Sequence, residues 1–162
     1  MKKFQIIYDE NKKLDEKFDE LYDSSDFDIV RKNKLELLVE LGELANETKC
    51  FKYWSCKPID LNLLKDEYAD CLIMVLCFFN MYDIRLDENF KMIKIRYDIV
   101  GLIGHLYSLC SEFYHNENCD LIKEIFVNFI ELGHQLSLSD EEIIEVCLDK
   151  IRKNFQRFET GF

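Results

Sequence analysis

The run ELLVELGELANE at residues 36–47 places four glutamates on one side of an otherwise apolar helix. At about 100° per residue, an arc of about 60° contains all four, namely Glu36, Glu40, Glu43 and Glu47. Leucine, valine and alanine cover most of the remaining circumference, and a helix that is apolar on nearly all sides is expected to be buried. The acidic stripe is therefore predicted to face the interior, where carboxylates need a cationic partner.

A second helix with carboxylates at one end is predicted at residues 60–81. Glu67 and Asp70 lie one turn apart and directly precede the apolar run of residues 71–79. Two buried helices that each carry a carboxylate pair can meet face to face, and the converging oxygens suit a hard divalent cation such as Mg²⁺ or Mn²⁺. No histidine is near either pair, which disfavours a di-iron site. A solvated glutamate ridge on a surface helix is the alternative interpretation.

A carboxylate-bound Mg²⁺ ion normally keeps positions open for water and for substrate phosphates. An acidic protein needs metal ions to hold an anion, so a polyphosphate is the substrate class that this site predicts. Residues of the last helix fit the same chemistry: the cationic Lys150 and Arg157 share one edge with Asn154 beside its apolar stripe. Such an edge can bind phosphates. A lysine and an arginine that only pack their alkyl chains at the margin of the core would give the same sequence pattern.

The composition fits one all-α domain over residues 1–162. The chain has five glycines and one proline, too few for a turn-rich β fold, and 48% of its residues are hydrophobic. Its formal net charge of −11 argues against nucleic acid or an anionic membrane surface as a partner. Seven cysteines without a recognisable signal peptide favour reduced thiols in the cytoplasm, and no apolar run is long enough for a transmembrane helix.

Apolar spacing predicts about six helices. Their expected positions are 3–22, 27–50, 60–81, 87–113, 119–136 and 140–159. Ser139 and Glu142 have the spacing of a capping box, which fixes the start of the last helix.

The pair Glu40-x-x-Glu43 followed by Glu67-x-x-Asp70 resembles the E-x-x-E…E-x-x-D signature of the all-α nucleoside triphosphate pyrophosphatases, which include the MazG-like and dimeric dUTPase families. The segment ELANETKCFKYWSCK at residues 43–57 is similar to the corresponding segment of the dimeric-type dUTPases. The end of the chain, KIRKNFQRFETGF at residues 150–162, keeps the lysine, second asparagine, arginine and glycine of their terminal pattern. The fold that this resemblance implies is an all-α helical bundle.

The resemblance implies a homodimer that uses two or three Mg²⁺ ions, with Mn²⁺ as a substitute, to cleave dUTP and also dUDP to dUMP. The metal ligands would be Glu40, Glu43, Glu67 and Asp70. The first two of these would be catalytic, one of them orienting the attacking water as general base. Phosphate contacts would come from Lys57, Lys150, Asn154 and Arg157, and the nucleoside pocket would include Asn11 and Trp54.

Three departures from the family pattern concern base specificity. Asn11 stands where the family usually has a glutamine, Ile73 where it often has a histidine, and Ile151 where the terminal pattern has its first asparagine. Lost pocket hydrogen bonds can reduce discrimination by orders of magnitude. Two alternatives therefore remain at this point: a related pyrophosphatase acting on another nucleotide such as dCTP, and a helical interaction module that binds no Mg²⁺.

Overall fold

The computed structural model describes residues 2–21, 27–86, 90 and 97–160. This part of the chain forms α-helices and no strands, which confirms the all-α prediction. The helices are α1 (Gln5–Asp19, preceded by a 3-10 turn at Lys2–Phe4), α2 (Phe27–Thr48), α3 (Leu61–Met81), α4 (Ile99–His115), α5 (Cys119–Gln135) and α6 (Asp140–Thr160). None of these helices has the length and hydrophobicity that a membrane crossing needs.

Side-chain caps fix the start of several helices. The predicted capping box is present: the Ser139 backbone N–H donates to Glu142 Oε2 at 3.0 Å, and the Glu142 N–H donates to Ser139 Oγ at 3.2 Å. The side chains of Asp60 and Asn118 accept hydrogen bonds from backbone N–H groups at the starts of α3 and α5. These bonds satisfy backbone donors that have no partner within the helix.

The fourth helix begins later than expected, and the prediction of 87–113 was wrong at its start. Asp98 Oδ1 accepts a hydrogen bond from the Gly101 N–H at 2.8 Å, so α4 starts at Ile99. Phe90 and Tyr97 are not helical. The remaining residues of the expected first part, 87–89 and 91–96, lie outside the described residues.

Helix α3 is the centre of the bundle, since α1, α2, α5 and α6 all pack against it. Tyr68 is fully buried, and its hydroxyl donates to the Phe129 carbonyl of α5 at 2.9 Å. The two helices approach so closely that a Cβ atom at Gly133 would lie 2.4 Å from the Tyr68 hydroxyl oxygen. This packing fixes α5 against the part of α3 that carries Glu67 and Asp70.

Helix α2 has a buried side and an exposed side. Leu37, Leu41 and Leu44 are buried in the core, whereas Leu35 and Val39 are about half exposed. The prediction that α2 is buried on nearly all sides was therefore wrong. Its acidic stripe lies along the border between the two sides, beside α3.

Candidate active site

The α2–α3 contact brings three carboxylates together. One oxygen from each of Glu40, Glu67 and Asp70 lies within 4.8 Å of the corresponding oxygens of the other two. All three side chains are partly buried. Oxygen ligands at this spacing match the chemistry of a hard divalent cation.

The cluster is electrostatically strained without a cation. Burial, followed by the charges of Asp70, Glu43 and Glu36, raises the pKa of Glu40 to about 7. Burial is also the first cause of the raised pKa of Glu67 and of Asp70. Since a divalent cation would favour the ionised form of every carboxylate here, the residues present fit a metal ion.

Glu43 lies beside the cluster rather than within this group of three. Its side chain is exposed, but its charge contributes to the raised pKa of both Glu40 and Glu67. It therefore adds to the negative charge of the site from its solvent side.

A buried lysine of α6 borders the cluster. Lys150 Nζ lies 2.5 Å from Asp70 Oδ2 and 2.6 Å from Asp66 Oδ2, and its side chain is only 6% exposed. Burial alone would lower the pKa of Lys150, but the hydrogen bonds to Asp66 and Asp70 raise it, so the lysine remains charged. Lys153 Nζ reaches Asp66 Oδ1 at 2.7 Å from the solvent side. The structure thus holds a positive charge in a fixed place next to the carboxylates.

A cavity of about 560 Å³ adjoins the cluster between α1, α2, α3 and α6. Glu40 and Asp70 lie at one side of it, and Leu14, Ile73 and Met74 supply apolar walls. Its polar lining residues include Asn11, Asp15, Asn80 and Asn154. The size and the mixture of apolar walls with a few polar groups are typical of a small-molecule site.

Besides Glu40 and Asp70, three of the predicted site residues and departures from the family pattern line this cavity, namely Asn11, Ile73 and Asn154. Asn11 is 2% exposed, and its Nδ2 donates to the Ile73 carbonyl at 3.3 Å. Asn154 also lines the cavity, and its Oδ1 accepts a hydrogen bond from Arg157 Nη1 at 3.4 Å. Ile151, by contrast, is buried in the core.

Other predicted residues lie on the segment that joins α2 to α3. Trp54 is 65% exposed and contacts Tyr53 and Phe51 edge to face, and it is not a lining residue of the cavity. Lys57 is exposed on the same segment, where its backbone N–H donates to Ser55 Oγ at 3.3 Å. The structure therefore does not bring these two residues to the cavity.

Sequence reasoning missed three polar residues at the site: Asp15, Asp66 and Asn80. Asp15 follows Asn11 by one helical turn and lies next to Leu14, so a carboxylate beside the apolar face of α1 was the available signal. Asn80 interrupts the apolar C-terminal half of α3, where an amide needs a hydrogen-bond partner. Asn80 Nδ2 donates a hydrogen bond to Asp15 Oδ2 at 2.5 Å, and this contact depends on the packing of α1 against α3.

Comparison with known proteins identifies the relatives of this site. A family model described as dUTPase (dUTPase_2) matches residues 3–162. A search of curated proteins found no match. The family match covers both carboxylate-bearing helices, the cavity and the cationic edge of α6. The chain therefore belongs to the dimeric-type dUTPase family, and its activity is that of a dUTP diphosphatase, a nucleoside triphosphate pyrophosphatase that hydrolyses dUTP.

Proposed function

We propose that the dUTPase reaction of this chain depends on Mg²⁺ and that dUDP is a second substrate. Glu40, Glu67 and Asp70 would hold the metal, and Glu43 would complete the ligand set. The observation that carries this proposal is the convergence of three strained carboxylates at the side of a nucleotide-sized cavity. Two or three ions, or Mn²⁺ instead of Mg²⁺, are compatible with an all-oxygen donor set.

When bound, the metal neutralises phosphate charge and makes a bound water more acidic. A carboxylate of the Glu40 and Glu43 pair orients the attacking water and accepts its proton. Glu40 must be ionised for this role, and a metal ion held beside it would offset the burial and the acidic neighbours that raise its pKa. Glu43 suits the orienting role because its side chain stays accessible to solvent beside the cluster.

The cationic edge of α6 would receive the phosphates. Asp66 and Asp70 hold Lys150 in place before the substrate arrives, so its charge needs little reorganisation during the reaction. Asn154 lines the cavity, and Arg157 is close enough to lower the pKa of Asp70. Together they can bind the triphosphate and stabilise the negative charge that develops on the leaving pyrophosphate. We keep Lys57 as a further phosphate contact and Trp54 as a nucleoside contact on the resemblance alone.

The nucleoside would occupy the cavity. Its apolar walls can contact the flat faces of a base, and Asn11 is one of the buried amides that can hydrogen-bond to it. This placement leaves the phosphates next to the metal ligands, which the reaction requires.

We further propose that the chain forms a homodimer through the exposed apolar side of α2 and α4. Leu35, Val39, Val100 and Tyr107 are all exposed there. The two helices pack closely, since a Cβ atom at Gly42 would lie 3.1 Å from the Tyr107 hydroxyl oxygen. An apolar patch on an otherwise strongly acidic protein is the surface that a second copy can cover.

A cytoplasmic location is proposed as well, because all seven cysteines are free.

The test is pyrophosphate release from dUTP and phosphate release from dUDP, with Mg²⁺, with Mn²⁺ and with a chelator. We expect turnover of both nucleotides with either metal and none with the chelator. Undiminished turnover in the chelator would contradict the metal assignment, and turnover of dUTP without dUDP would restrict the substrate to the triphosphate.

A further inference from the structure

Two carboxylates of α3 share one ammonium group of α6. Asp66 and Asp70 lie one helical turn apart, and Lys150 Nζ lies 2.6 Å from Asp66 Oδ2 and 2.5 Å from Asp70 Oδ2. The side chain of Lys150 is buried, whereas that of Asp66 is partly exposed. Lys150 therefore lies between a carboxylate on the solvent side and a carboxylate of the cluster.

Asp66 is a fixed anion next to the cluster but outside it. It is not one of the carboxylates that converge in the described part of the chain. Its two oxygens are both used by lysines of α6, since Oδ2 accepts a hydrogen bond from Lys150 Nζ and Oδ1 accepts one from Lys153 Nζ at 2.7 Å. A carboxylate with two cationic donors stays ionised and is held in one orientation.

A metal ion at the cluster would change the partners of Lys150. Asp70 is one of the converging carboxylates, so a bound cation competes with the ammonium group for its oxygens and also repels that group. An ammonium group as buried as that of Lys150 cannot lose all of its partners without a large cost. Asp66 is the partner that the metal ion leaves in place.

We propose that Asp66 is a positioning residue for the dUTPase reaction, because it keeps Lys150 at the border of the cluster after a metal ion has taken over Asp70. This inference rests on the proposed metal site and on the proposed contact of Lys150 with phosphate. Asp66 contacts neither the metal nor the substrate and acts only through Lys150. Without it, Lys150 would stay with Asp70 and oppose the metal, or would lose its fixed place beside the phosphates.

The same geometry links metal binding to substrate binding. Asn154 follows Lys150 by one turn of α6 and lines the cavity, as does Asp70, so Lys150 lies between Asp66 and the substrate side. A phosphate oxygen can replace Asp70 as the second anionic partner of Lys150. The metal releases Lys150 from Asp70, and the phosphate receives it. The two ligands are therefore expected to bind cooperatively.

The first measurement is Mn²⁺ binding to the metal-free protein, with the free ion followed by electron paramagnetic resonance. Asp66→Asn keeps an oxygen acceptor for Lys150 but removes the negative charge. We expect the affinity for Mn²⁺ to fall by at least about tenfold, because Lys150 then depends on Asp70. The control is Asp149→Asn, which changes an exposed carboxylate of α6 that pairs with Arg152 and should bind Mn²⁺ as the wild type does.

A double-mutant cycle tests whether Asp66 acts through Lys150. In a Lys150→Gln background no ammonium group has to be held, so the effect of Asp66→Asn on Mn²⁺ affinity should shrink to about threefold or less, the part that a nearby charge contributes through solvent. Since Asp66 is partly exposed, these variants are expected to fold, and circular dichroism checks this.

Steady-state kinetics provide the second measurement. With Lys150 intact, Asp66→Asn should lower kcat for dUTP by at least about tenfold and change KM by less than about threefold, because Lys150 stabilises charge that develops in the transition state. Asp66→Glu restores the charge and should recover most of the kcat. In the Lys150→Gln background, Asp66→Asn should leave kcat nearly unchanged.

Two results would overturn the proposal. One is an equal loss of Mn²⁺ affinity from Asp66→Asn in both backgrounds, which would show that Asp66 acts by its own charge. The other is an Asp66→Asn variant with the Mn²⁺ affinity and the kcat of the wild type. Both results leave the proposed metal site intact, whereas a wild type that binds no Mn²⁺ would contradict the metal site and this inference together.

Discussion

At the scale of single residues, the site brings together carboxylates that repel one another and that can bind a cation. Glu40, Glu67 and Asp70 lie close enough to repel one another, and partial burial adds to the cost of ionising them. A protein retains such an arrangement where function requires it, because perturbed pKa values cluster at functional sites. Asp70 links the two halves of the site, since it faces both the cluster and Lys150.

Replacing Asp70 by asparagine should remove metal binding. We expect Asp70→Asn to lower kcat/KM for dUTP by about a hundredfold or more. Saturating Mg²⁺ and a non-hydrolysable dUTP analogue should raise the Tm of the wild type by about 5–10 °C and leave that of the variant unchanged. Thermal unfolding with and without these ligands measures the effect.

The control is Glu112→Gln, which changes an exposed carboxylate of α4 and should behave as the wild type. A Tm shift in Asp70→Asn equal to that of the wild type would contradict the assignment.

The metal-free protein should lose stability as the pH rises through the titration of Glu40. The pKa of Glu40 in the folded chain is about 7, above the ordinary value for a glutamate, so the folded state binds more protons than the unfolded state between about pH 5 and about pH 7. The free energy of unfolding therefore decreases over this window. Glu40→Gln removes this contribution and should stabilise the metal-free protein above about pH 7 by about 1 kcal/mol, or about 2–4 °C in Tm.

The matching measurement is thermal unfolding in a chelator at several pH values. The Tm difference between Glu40→Gln and the wild type should be small at about pH 5 and should grow towards about pH 8. A difference that is constant with pH would show that Glu40 contributes no proton linkage.

At the scale of helices, α6 supplies the cation that α3 needs. Lys150 and Lys153 both contact Asp66, yet only Lys150 is buried and also contacts Asp70. Lys150→Gln should lower the free energy of unfolding by about 2–4 kcal/mol, because two partly buried carboxylates lose their partner. Lys153→Gln should cost at most about 1 kcal/mol, since its ion pair is exposed. Urea denaturation of both variants in a chelator makes the comparison, and equal losses would contradict the structural role of Lys150.

The helices also show which features the sequence can predict. Local signals were sufficient where the interacting groups are close in sequence: Ser139 and Glu142 fixed the start of α6 as expected. The start of α4 was misplaced because Asp98 looked like one more polar residue within an apolar pattern, whereas it is the cap. The hydrogen bond from the Gly101 N–H to Asp98 marks this start directly, whichever convention defines the end of a helix.

The candidate site also has features that the sequence predicts and features that it does not. The spacing of Glu40, Glu67 and Asp70 follows from helical periodicity, so their convergence needed only the assumption that α2 and α3 meet. The contact of Asp15 with Asn80 joins residues far apart in sequence, and only the packing of α1 against α3 creates it. The exposure of Val39 likewise depends on which helices cover α2, which periodicity alone does not determine.

At the scale of the whole molecule, charge and apolar surface are unevenly distributed. The chain carries a net charge of −11, so two copies repel each other unless a favourable contact compensates. The exposed apolar residues of α2 and α4 provide such a contact, and burying them removes a patch that an acidic monomer would otherwise present to solvent. A dimer built this way should weaken at low salt, where repulsion between like charges is least screened.

Introducing a charge into this patch should therefore separate the subunits. Val39 is 50% exposed, so Val39→Asp should leave the fold of the monomer intact while placing a carboxylate in the interface, opposite its own copy if the contact is two-fold symmetric. Light scattering should give twice the chain mass of 19.5 kDa for the wild type and the single mass for the variant. Ile6→Asp, at an equally exposed apolar position on α1, is the control and should remain dimeric. If Val39→Asp remained dimeric, the interface would lie elsewhere on the molecule. A monomeric wild type would contradict the proposed assembly, because the apolar patch would then be tolerated without a partner.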